Sequence, residues 1–321
     1  MGFMTFDNAT IDSTGEFMIH ELERLDQQLH EPLYAATWGR DIDLREDVSI
    51  ADELTSFTNS TFAAAGGINP NGKSWIGKDT NAISGMQLDI GKTAHSLYLW
   101  GMEISYTIPE LLSAMKLGRP VDAQKFEGMN IKHQMDIDQM VYVGDTDMNQ
   151  TGMLNNAGVT PSAVANGALG SPLWVNKSPD EIVADITTLV VAVWTASGYA
   201  VCPHKVLLPP VKWSYIATQK ISTAGNETIM SYIENKCEMP MRVNGKKLEL
   251  QPVKWCTGLG TGATDLMAAY TQEKNRIRFP LVPLQRTPLE YRSIYHLTTY
   301  FGRLGVVEIV YPETVGYAYG F

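Results

Sequence analysis

The chain has 321 residues and a mass of 35.5 kDa, which is enough for about two domains of typical size. Hydrophobic residues make up 44% of the chain and charged residues 19%, which excludes a protein that is disordered throughout. The 35 acidic residues outnumber the 25 basic ones, and the resulting net charge of −10 argues against a protein that binds nucleic acid directly.

The N-terminus and the cysteines indicate the compartment. Residues 1–16 contain no Lys or Arg, and no apolar stretch is long enough to cross a bilayer, so we expect a soluble intracellular protein that does not enter a membrane. The three cysteines, Cys202, Cys237 and Cys256, are widely spaced and form no C-x-x-C motif. This pattern is typical of free thiols in a reducing compartment.

Residues 1–60 have the pattern of an arm with a single helix. Four apolar residues recur at helical spacing: Met18, Leu22, Leu25 and Leu29. Pro32 ends this helix. The apolar stripe is narrow and is flanked by polar sequence, so it must lie against another surface. That surface belongs either to the same domain or to a neighbouring chain, and the stripe alone leaves both open.

Residues 55–85 are rich in Ser, Thr, Asn and Gly, which is unusual for a segment inside a compact domain. An alternating apolar pattern resumes at Met86, Leu88 and Ile90. The segment is therefore predicted to be a long β-hairpin that projects from the body of the protein. Its tip falls near four residues: Asn69, Pro70, Asn71 and Gly72.

Two helices are predicted next. The first begins at Ile108 and stops at Gly118, and the second begins at Pro120 and runs to about Val143. The second helix has apolar residues on two of its sides, which predicts a spine that packs on both sides. Gly128 lies in the middle of this helix, where we expect close packing or a bend.

Three polar residues of the spine helix are candidates for chemistry. His133 lies on the main apolar face and has no His, Cys or acidic residue four positions away, so we interpret it as a packed histidine rather than a ligand. Asp136 and Asp138 point in nearly opposite directions around the helix and cannot converge on one substrate. We interpret both as solvated.

The remainder of the chain has mixed helical and strand patterns. Ser178-Pro179-Asp180-Glu181 is a capping box that begins a helix ending near Gly198. Shorter helices are predicted at 211–220 and at 226–235, the latter capped by Asn226. Strands are predicted at 205–208, 247–256, 266–270, 276–281, 291–300, 306–311 and 315–319, with a turn at 302–305. This irregular order predicts an α+β fold rather than regular βαβ alternation.

Two motifs carry possible chemistry. Gly67-Ile-Asn-Pro-Asn-Gly72-Lys73-Ser74 matches the phosphate-binding P-loop, but no apolar strand precedes it and the sequence after it is poorly suited to a helix. A P-loop NTPase therefore remains the alternative from a different functional class. Cys202-Pro203-His204 has no evident third group to orient a nucleophile and its base. We predict no enzymatic activity, catalytic residue, cofactor or metal site.

Several segments, in order along the chain, resemble the tailed-phage major capsid proteins, and in particular a branch whose sequences are similar to encapsulin shells. The clearest is Gly144-Asp145 followed by Gly152-Met153-Leu154-Asn155 after the long helix. The others are Tyr106 to Asp122, Trp38-Gly39-Arg40-Asp41-Ile42 to Glu46-Asp47, Leu207-Leu208-Pro209-Pro210, Gly302 to Val306, Tyr311-Pro312 and Gly316-Tyr317.

The resemblance implies the Hong Kong 97-type fold. This fold has an N-terminal arm, an extended β-hairpin loop, a peripheral domain that holds the spine helix, and an axial domain. On this sequence the expected division is 1–55 for the arm, 56–104 for the loop, 105–160 for the peripheral domain, 161–287 for the axial domain, and 288–321 for strands that return to the peripheral domain.

The function that the resemblance implies is a major capsid protein that assembles into an icosahedral shell around double-stranded phage DNA. Its expected partners are copies of itself in hexamers and pentamers, a portal, a separate scaffolding protein and a cement protein, with no sequence-specific contact to DNA. The expected location is the virion, after assembly in the host cytoplasm. The expected contacts between subunits are Met18, Leu22, Leu25 and Leu29 of the arm and Asn69, Pro70, Asn71 and Gly72 of the loop. An encapsulin-like compartment is the alternative with the same fold.

Overall fold

The computed structural model describes residues 34–64, 78, 86–117, 121–222 and 225–321. The α-helices in these ranges are α1 Trp38–Asp41, α2 Ile108–Leu117, α3 Val121–Tyr142, α4 Pro179–Ala196, α5 Pro210–Thr218, α6 Ile229–Lys236 and α7 Met239–Asn244. The predicted arm stripe (Met18, Leu22, Leu25, Leu29), the predicted loop tip (Asn69, Pro70, Asn71, Gly72) and the P-loop match at 67–74 lie outside the described residues.

The strands form two sheets and a separate hairpin. In chain order they are β1 Asp43–Arg45, β2 Leu54–Ala64, β3 Met86–Ser96, β4 Tyr98–Thr107, β5 Ser162–Ala163, β6 Lys205–Leu208, β7 Glu249–Pro252, β8 Leu266–Tyr270, β9 Ile277–Arg286, β10 Glu290–Arg292, β11 Tyr295–Leu304, β12 Glu308–Ile309 and β13 Val315–Tyr319. The mixture of helices with largely antiparallel sheets confirms the predicted α+β class.

The six-stranded sheet carries the spine helix. Its order is β1-β9-β11-β10, with β4 paired to β11 and β12 paired to β9. The β4–β11 pair is antiparallel and in register from Tyr98 opposite Leu304 to Thr107 opposite Tyr295. Helix α3 contacts β4, where the indole nitrogen of Trp100 donates a 2.9 Å hydrogen bond to Asp136. The predicted spine is therefore present and packs on this sheet.

The five-stranded sheet, ordered β5-β13-β8-β6-β7, is buried on both faces at its centre. Along β6, Leu207 faces one hydrophobic core, which it shares with Ile137 of the spine helix. Val206 and Leu208 face a second core, which they share with Ile186 of α4. This alternation follows from the two-residue period of a strand and explains why β6 is apolar throughout after Lys205.

Helix α4 begins at the capping box that the sequence predicts. The Ser178 hydroxyl accepts a hydrogen bond from the Glu181 backbone N–H, and the Glu181 carboxylate accepts one from the Ser178 N–H. The two groups satisfy each other's otherwise unpaired donors, and Pro179 at the first helical position has no N–H to satisfy. The apolar face of this helix packs on β13 and β8.

Several boundaries differ from the prediction. Gly302 is part of strand β11 and not of a turn, since it pairs with Trp100 of β4. A Cβ at this position would lie 2.9 Å from the Val282 carbonyl oxygen at a register shift between β9 and β11, which explains the glycine. The cap of α6 is Thr228 and not Asn226, since the Thr228 hydroxyl accepts a hydrogen bond from the Ser231 N–H. A Cβ placed on Gly128 would have no atom of the described residues within 4 Å, so the close packing that was one of the two expectations for Gly128 is absent among these residues.

The expected domain limits also differ in three places. The hairpin ends at Ser96, because β4 pairs with β11 rather than with β2. Residues 34–53 of the expected arm pack on the body, where β1 pairs with β9. The last strand, β13, pairs with β8 and so lies in the sheet of the 161–287 segment, while β11 lies in the sheet of the spine helix. Strand pairing over such sequence distances has no local signal.

Candidate assembly surface

The β2–β3 hairpin forms a two-stranded sheet of its own, in register from Leu54 opposite Ser96 to Ala64 opposite Met86. Residues on opposite strands that pair directly share a face, so Leu54, Leu88 and Ile90 lie on one face. Their side chains are 62%, 54% and 61% exposed. The hairpin therefore presents three large apolar side chains to solvent on one face, which also carries Thr58, Ser60 and Lys92. We call it the apolar face of the hairpin, since exposed apolar side chains are a common property of surfaces that bind another protein.

The opposite face of the hairpin contacts the body at its base. Thr55 is buried, the rings of Phe57 and His95 stack with centroids 5.8 Å apart, and Asn59 donates a 3.4 Å hydrogen bond to the Val310 carbonyl oxygen. Burial lowers the pKa of His95, which favours the neutral form of the ring at this contact. These contacts fix which face of the hairpin points away from the subunit.

A buried ion cluster anchors the same base. Glu308 on β12 is completely buried and accepts hydrogen bonds from Arg45 at 2.9 Å and from Arg278 at 2.6 Å. Arg45 also donates to Asp47 and to the Ser56 carbonyl oxygen on β2. The hydrogen bond to Asp47 raises the pKa of Arg45, and the guanidinium lowers the pKa of Asp47. The cluster joins the hairpin to the six-stranded sheet.

The glycine-rich segment after the spine helix caps that helix. The backbone N–H groups of Met153 and Leu154 donate to the carbonyl oxygens of Val141 and Tyr142, and the Asn155 amide donates to that of Val143 at 2.8 Å. Gly152 donates its N–H to the Asn155 side chain at 2.6 Å. These bonds satisfy carbonyl groups that the end of a helix leaves unpaired. The motif that gave the resemblance therefore has a structural role.

Asp138 anchors the segment that follows the predicted arm. It is completely buried, so the interpretation of this residue as solvated is wrong. Its carboxylate accepts hydrogen bonds from the Thr37 N–H at 3.0 Å and from the Trp255 indole at 2.8 Å, and lies 3.1 Å from the Lys254 ammonium. A buried carboxylate is tolerated because several donors surround it. Sequence reasoning missed it because all of these donors are about a hundred residues away.

Asp41 is a second buried carboxylate in this region. It accepts two hydrogen bonds from Arg40 and one from the Tyr142 hydroxyl, and Lys205 lies 3.5 Å away. Burial raises the pKa of Tyr142, and so do the nearby charge of Asp41 and its hydrogen bond. Asp41 and Asp138 together hold α1 against the spine helix. The point at which residues 1–33 join the body of the subunit is therefore fixed.

The groups that the sequence offered for chemistry are buried and not activated. Burial raises the pKa of the Cys202 thiol to about 11 and lowers the pKa of His204 to about 4. A thiol with a raised pKa is a poor source of thiolate, and a histidine with so low a pKa is a weak base for removing its proton. His133 is also buried, with its ring 4.6 Å from that of Trp100, and burial lowers its pKa. It is packed as predicted, although its Nε2 has no partner in the described part of the chain.

Two further features are absent from the described residues. In that part of the chain, no three His, Cys, Asp or Glu side chains lie close enough together to hold a metal ion. Among the same residues, none of the helices combines the length and hydropathy needed to cross a membrane.

The fold is similar to that of solved viral shells. The capsid of Myoviridae phage XM1 matches with a TM-score of 0.76 and 16% identity, covering 94% of this chain and 98% of that chain. The capsid of the native GTA particle matches with a TM-score of 0.61 and 12% identity over 97% and 98% of the two chains. Gordonia phage Cozz matches with a TM-score of 0.55 and 12% identity over 95% and 93%. These matches confirm the Hong Kong 97-type fold.

Sequence comparison supplies the family. A search of curated protein sequences finds no significant match to this chain. The family model described as the major capsid protein, however, matches residues 72–320, which include the spine helix, its capping segment, the five-stranded sheet and every strand of the six-stranded sheet except β1. Because this match spans most of the chain, the protein belongs to the major capsid protein family.

Proposed function

We propose that copies of this major capsid protein assemble as hexamers and pentamers of an icosahedral shell around double-stranded phage DNA. The observation that carries this proposal is the exposed apolar face of the β2–β3 hairpin, with Leu88 and Ile90 more than half exposed. A two-stranded hairpin is at best marginally stable in water by itself. Its outer face therefore needs cover, and a neighbouring copy in a closed shell supplies that cover at every position.

The arm and the loop tip extend the same proposal. Their contact residues are Met18, Leu22, Leu25 and Leu29 in the arm and Asn69, Pro70, Asn71 and Gly72 in the tip. The hairpin leads towards that tip, and the anchored segment after residue 33 gives the arm a fixed origin. We assign residues 1–33 to the arm, the hairpin to the extended loop, the sheet with α3 to the peripheral domain, and the sheet with α4 to the axial domain.

Other partners follow from the function of a capsid. A portal, a separate scaffolding protein and a cement protein are proposed as partners, with assembly in the host cytoplasm before the protein reaches its place in the virion. The net charge of −10 supports contact with DNA that is weak and independent of base sequence, because phosphates repel an acidic surface. We also propose that the protein has no enzymatic activity.

Two alternatives lead to different outcomes. An encapsulin-like compartment has the same fold but encloses an enzyme, and the family match favours the phage capsid over it. A P-loop NTPase at residues 67–74 predicts ATP binding that is lost on Lys73→Ala. The capsid proposal predicts that this substitution leaves any nucleotide signal unchanged and that particles of tens of nanometres form without nucleotide.

The hairpin face can be tested with a matched pair of variants. Leu88→Glu combined with Ile90→Glu places two charges on the exposed apolar face, and we expect particles to be lost because buried unpaired charges are costly. Thr93→Glu is the control, since Thr93 is exposed on the opposite face of the same strand. Electron microscopy of the purified proteins decides the outcome. Normal particles from the double variant would contradict the proposed role of this face.

A further inference from the structure

A second exposed apolar feature lies far from the hairpin. The segment 165–177, called here the α4 loop, precedes helix α4 and displays three large apolar side chains. Leu169 is 79% exposed, Val175 is 74% exposed and Leu173 is 48% exposed. The loop lies between β5 and the start of α4, so it belongs to the five-stranded sheet region and not to the hairpin.

The α4 loop is rigidly attached to its own subunit. The Lys177 ammonium and the Asp185 carboxylate form an ion pair of 2.6 Å in which both side chains are almost completely buried, and Lys177 also donates to the Ala165 carbonyl oxygen at 2.7 Å. The Ala168 N–H donates to Glu181 at 2.6 Å. Apolar side chains on a rigid loop lose little conformational entropy on binding, which makes them effective contacts.

A concave surface lies at the other end of the same helix. The C-terminal half of α4 and the segment before β13 enclose a groove of about 430 Å³, lined by Leu189, Ala192, Val193, Ala196, Pro312 and Glu313 among others. We call it the α4 groove. The α4 loop is held near Glu181 and Asp185, and Leu169 remains exposed, so the loop of one subunit does not fill the groove of that subunit.

Charge depletion indicates what these two surfaces contact. No Asp, Glu, Lys or Arg occurs from Met148 to Asn176, which includes the exposed part of the loop, or from Ile186 to His204, which includes the helical side of the groove. Each subunit has a net charge of −10, so contact surfaces with few charged residues reduce the repulsion between neighbouring copies, although Glu313 lies on the other side of the groove. Depletion of charged residues is also the main compositional signal of the centre of an interface.

From these observations we propose that the α4 loop of one subunit inserts into the α4 groove of a second copy. The convex and concave surfaces differ and lie at opposite ends of one helix, so the contact is head-to-tail. A head-to-tail contact leaves one unused loop and one unused groove at the ends of any open chain, and closing a ring satisfies both. This inference rests on the proposed function and identifies a contact that would close each ring of the shell.

The first test compares two valines that are equally exposed. Val175→Glu charges the α4 loop, and Val211→Glu charges helix α5 at a residue that is also 74% exposed but lies outside both surfaces. We expect Val175→Glu to abolish particles in electron micrographs and Val211→Glu to keep them, with unchanged thermal unfolding for both. Normal particles from Val175→Glu would overturn the inference. Binding of a different protein, or of the arm of the same subunit, to the α4 loop would also overturn it.

A second test measures the contact directly, so its outcome does not depend on whether a charged variant folds. Leu169→Cys and Ala192→Cys are prepared as separate proteins, mixed, and treated with a short bismaleimide crosslinker; Cys202 and Cys256 are buried and Cys237 is partly buried. The inference predicts dimers in the mixture above the level in either protein alone. Dimers of Leu169→Cys alone would show a loop-to-loop contact and overturn it. If wild type itself forms no particles, the proposed function fails; if wild type assembles and no mixed dimer forms, this inference alone fails.

Discussion

Arg45 and Glu308 are 263 residues apart in the sequence, yet the guanidinium nitrogen of one lies 2.9 Å from the carboxylate of the other. Glu308 is completely buried, and Arg278 binds its second oxygen. The pair joins the segment that leads into the hairpin to strand β12 of the six-stranded sheet. The position of the exposed hairpin therefore depends on a buried ion cluster at its base.

Glu308→Gln is expected to destabilise the subunit by about 3 kcal/mol, because it removes the buried charge that pairs with Arg278, while Arg45 keeps its ion pair with Asp47. The free energy of unfolding of the unassembled subunit, measured with urea, checks this value. Glu290→Gln is the control, since Glu290 is exposed on β10 and its substitution is expected to change stability by less than about 0.5 kcal/mol. Equal stability of the two variants would show that the cluster does not stabilise the fold.

Asp138→Asn is expected to loosen the segment 34–42. The amide that replaces the carboxylate has one acceptor oxygen, so at least one of the donors on Thr37, Trp38 and Trp255 loses its partner, at a cost of about 2 kcal/mol. Limited proteolysis of the unassembled subunit should show faster cleavage in this segment. Asp147→Asn, at an exposed position, should be cleaved like wild type, and identical cleavage of both variants would contradict the anchoring role.

Alanine substitutions at two glycines of the spine region should change the stability of the subunit in opposite directions. A Cβ at Gly152 would lie 2.4 Å from the Tyr142 carbonyl carbon, so Gly152→Ala should destabilise the subunit by at least about 2 kcal/mol. A Cβ at Gly128 meets no atom of the described residues within 4 Å, so Gly128→Ala should stabilise the subunit by about 1 kcal/mol through helix propensity. Thermal unfolding of both variants gives the sign of each change in stability. Destabilisation by Gly128→Ala would contradict the prediction, because it would mean that a neighbouring group packs against this position.

Stability should fall in acid because of His204. Burial is the main cause that lowers its pKa to about 4, and the nearby charges of Lys246 and Lys205 lower it further, against smaller opposite effects of Glu273 and Asp43. The unfolded histidine has its ordinary pKa of about 6.5, so the unfolded state binds more protons between these values. The free energy of unfolding should therefore decrease as the pH falls from about 6.5 towards 4.

The comparison of two histidine variants isolates this effect. His204→Leu should reduce the dependence of unfolding free energy on pH in that range, and the lowered pKa values of the buried His95 and His133 account for the slope that remains. His296→Leu, at a partly exposed position on β11, is the control for replacing a histidine with leucine. Urea unfolding at several pH values gives the slopes. An unchanged slope in His204→Leu would mean that another group causes the loss of stability in acid.

Elements with strong local signals were predictable from the sequence. The capping box at Ser178 marks the start of α4, and the glycine after Leu117 marks the end of α2. The apolar run after Lys205 indicates β6. These signals act within a few residues of the element that they begin or end. The order of motifs along the chain was also sufficient for the family, which the match over residues 72–320 confirms.

Features that depend on distant residues were not predictable in the same way. Asp138 is surrounded by donors from residues 37, 38 and 255, and no local pattern marks them. Gly302 resembles a turn residue in sequence, yet its small size is needed where β9 approaches β11. The α4 loop and the α4 groove gave no motif, although the charge-free stretches 148–176 and 186–204 can be recognised in the sequence once the exposure of Leu169 is known.

Electron microscopy of the purified wild-type chain, combined with sedimentation to give the mass of the species, tests the central claim most directly. The account predicts closed particles of tens of nanometres built from rings of five and six copies, because the apolar face of the hairpin and the α4 loop find their cover on other copies. A chain that stays monomeric at all concentrations, with the same thermal stability as a Leu88→Glu variant, would contradict it.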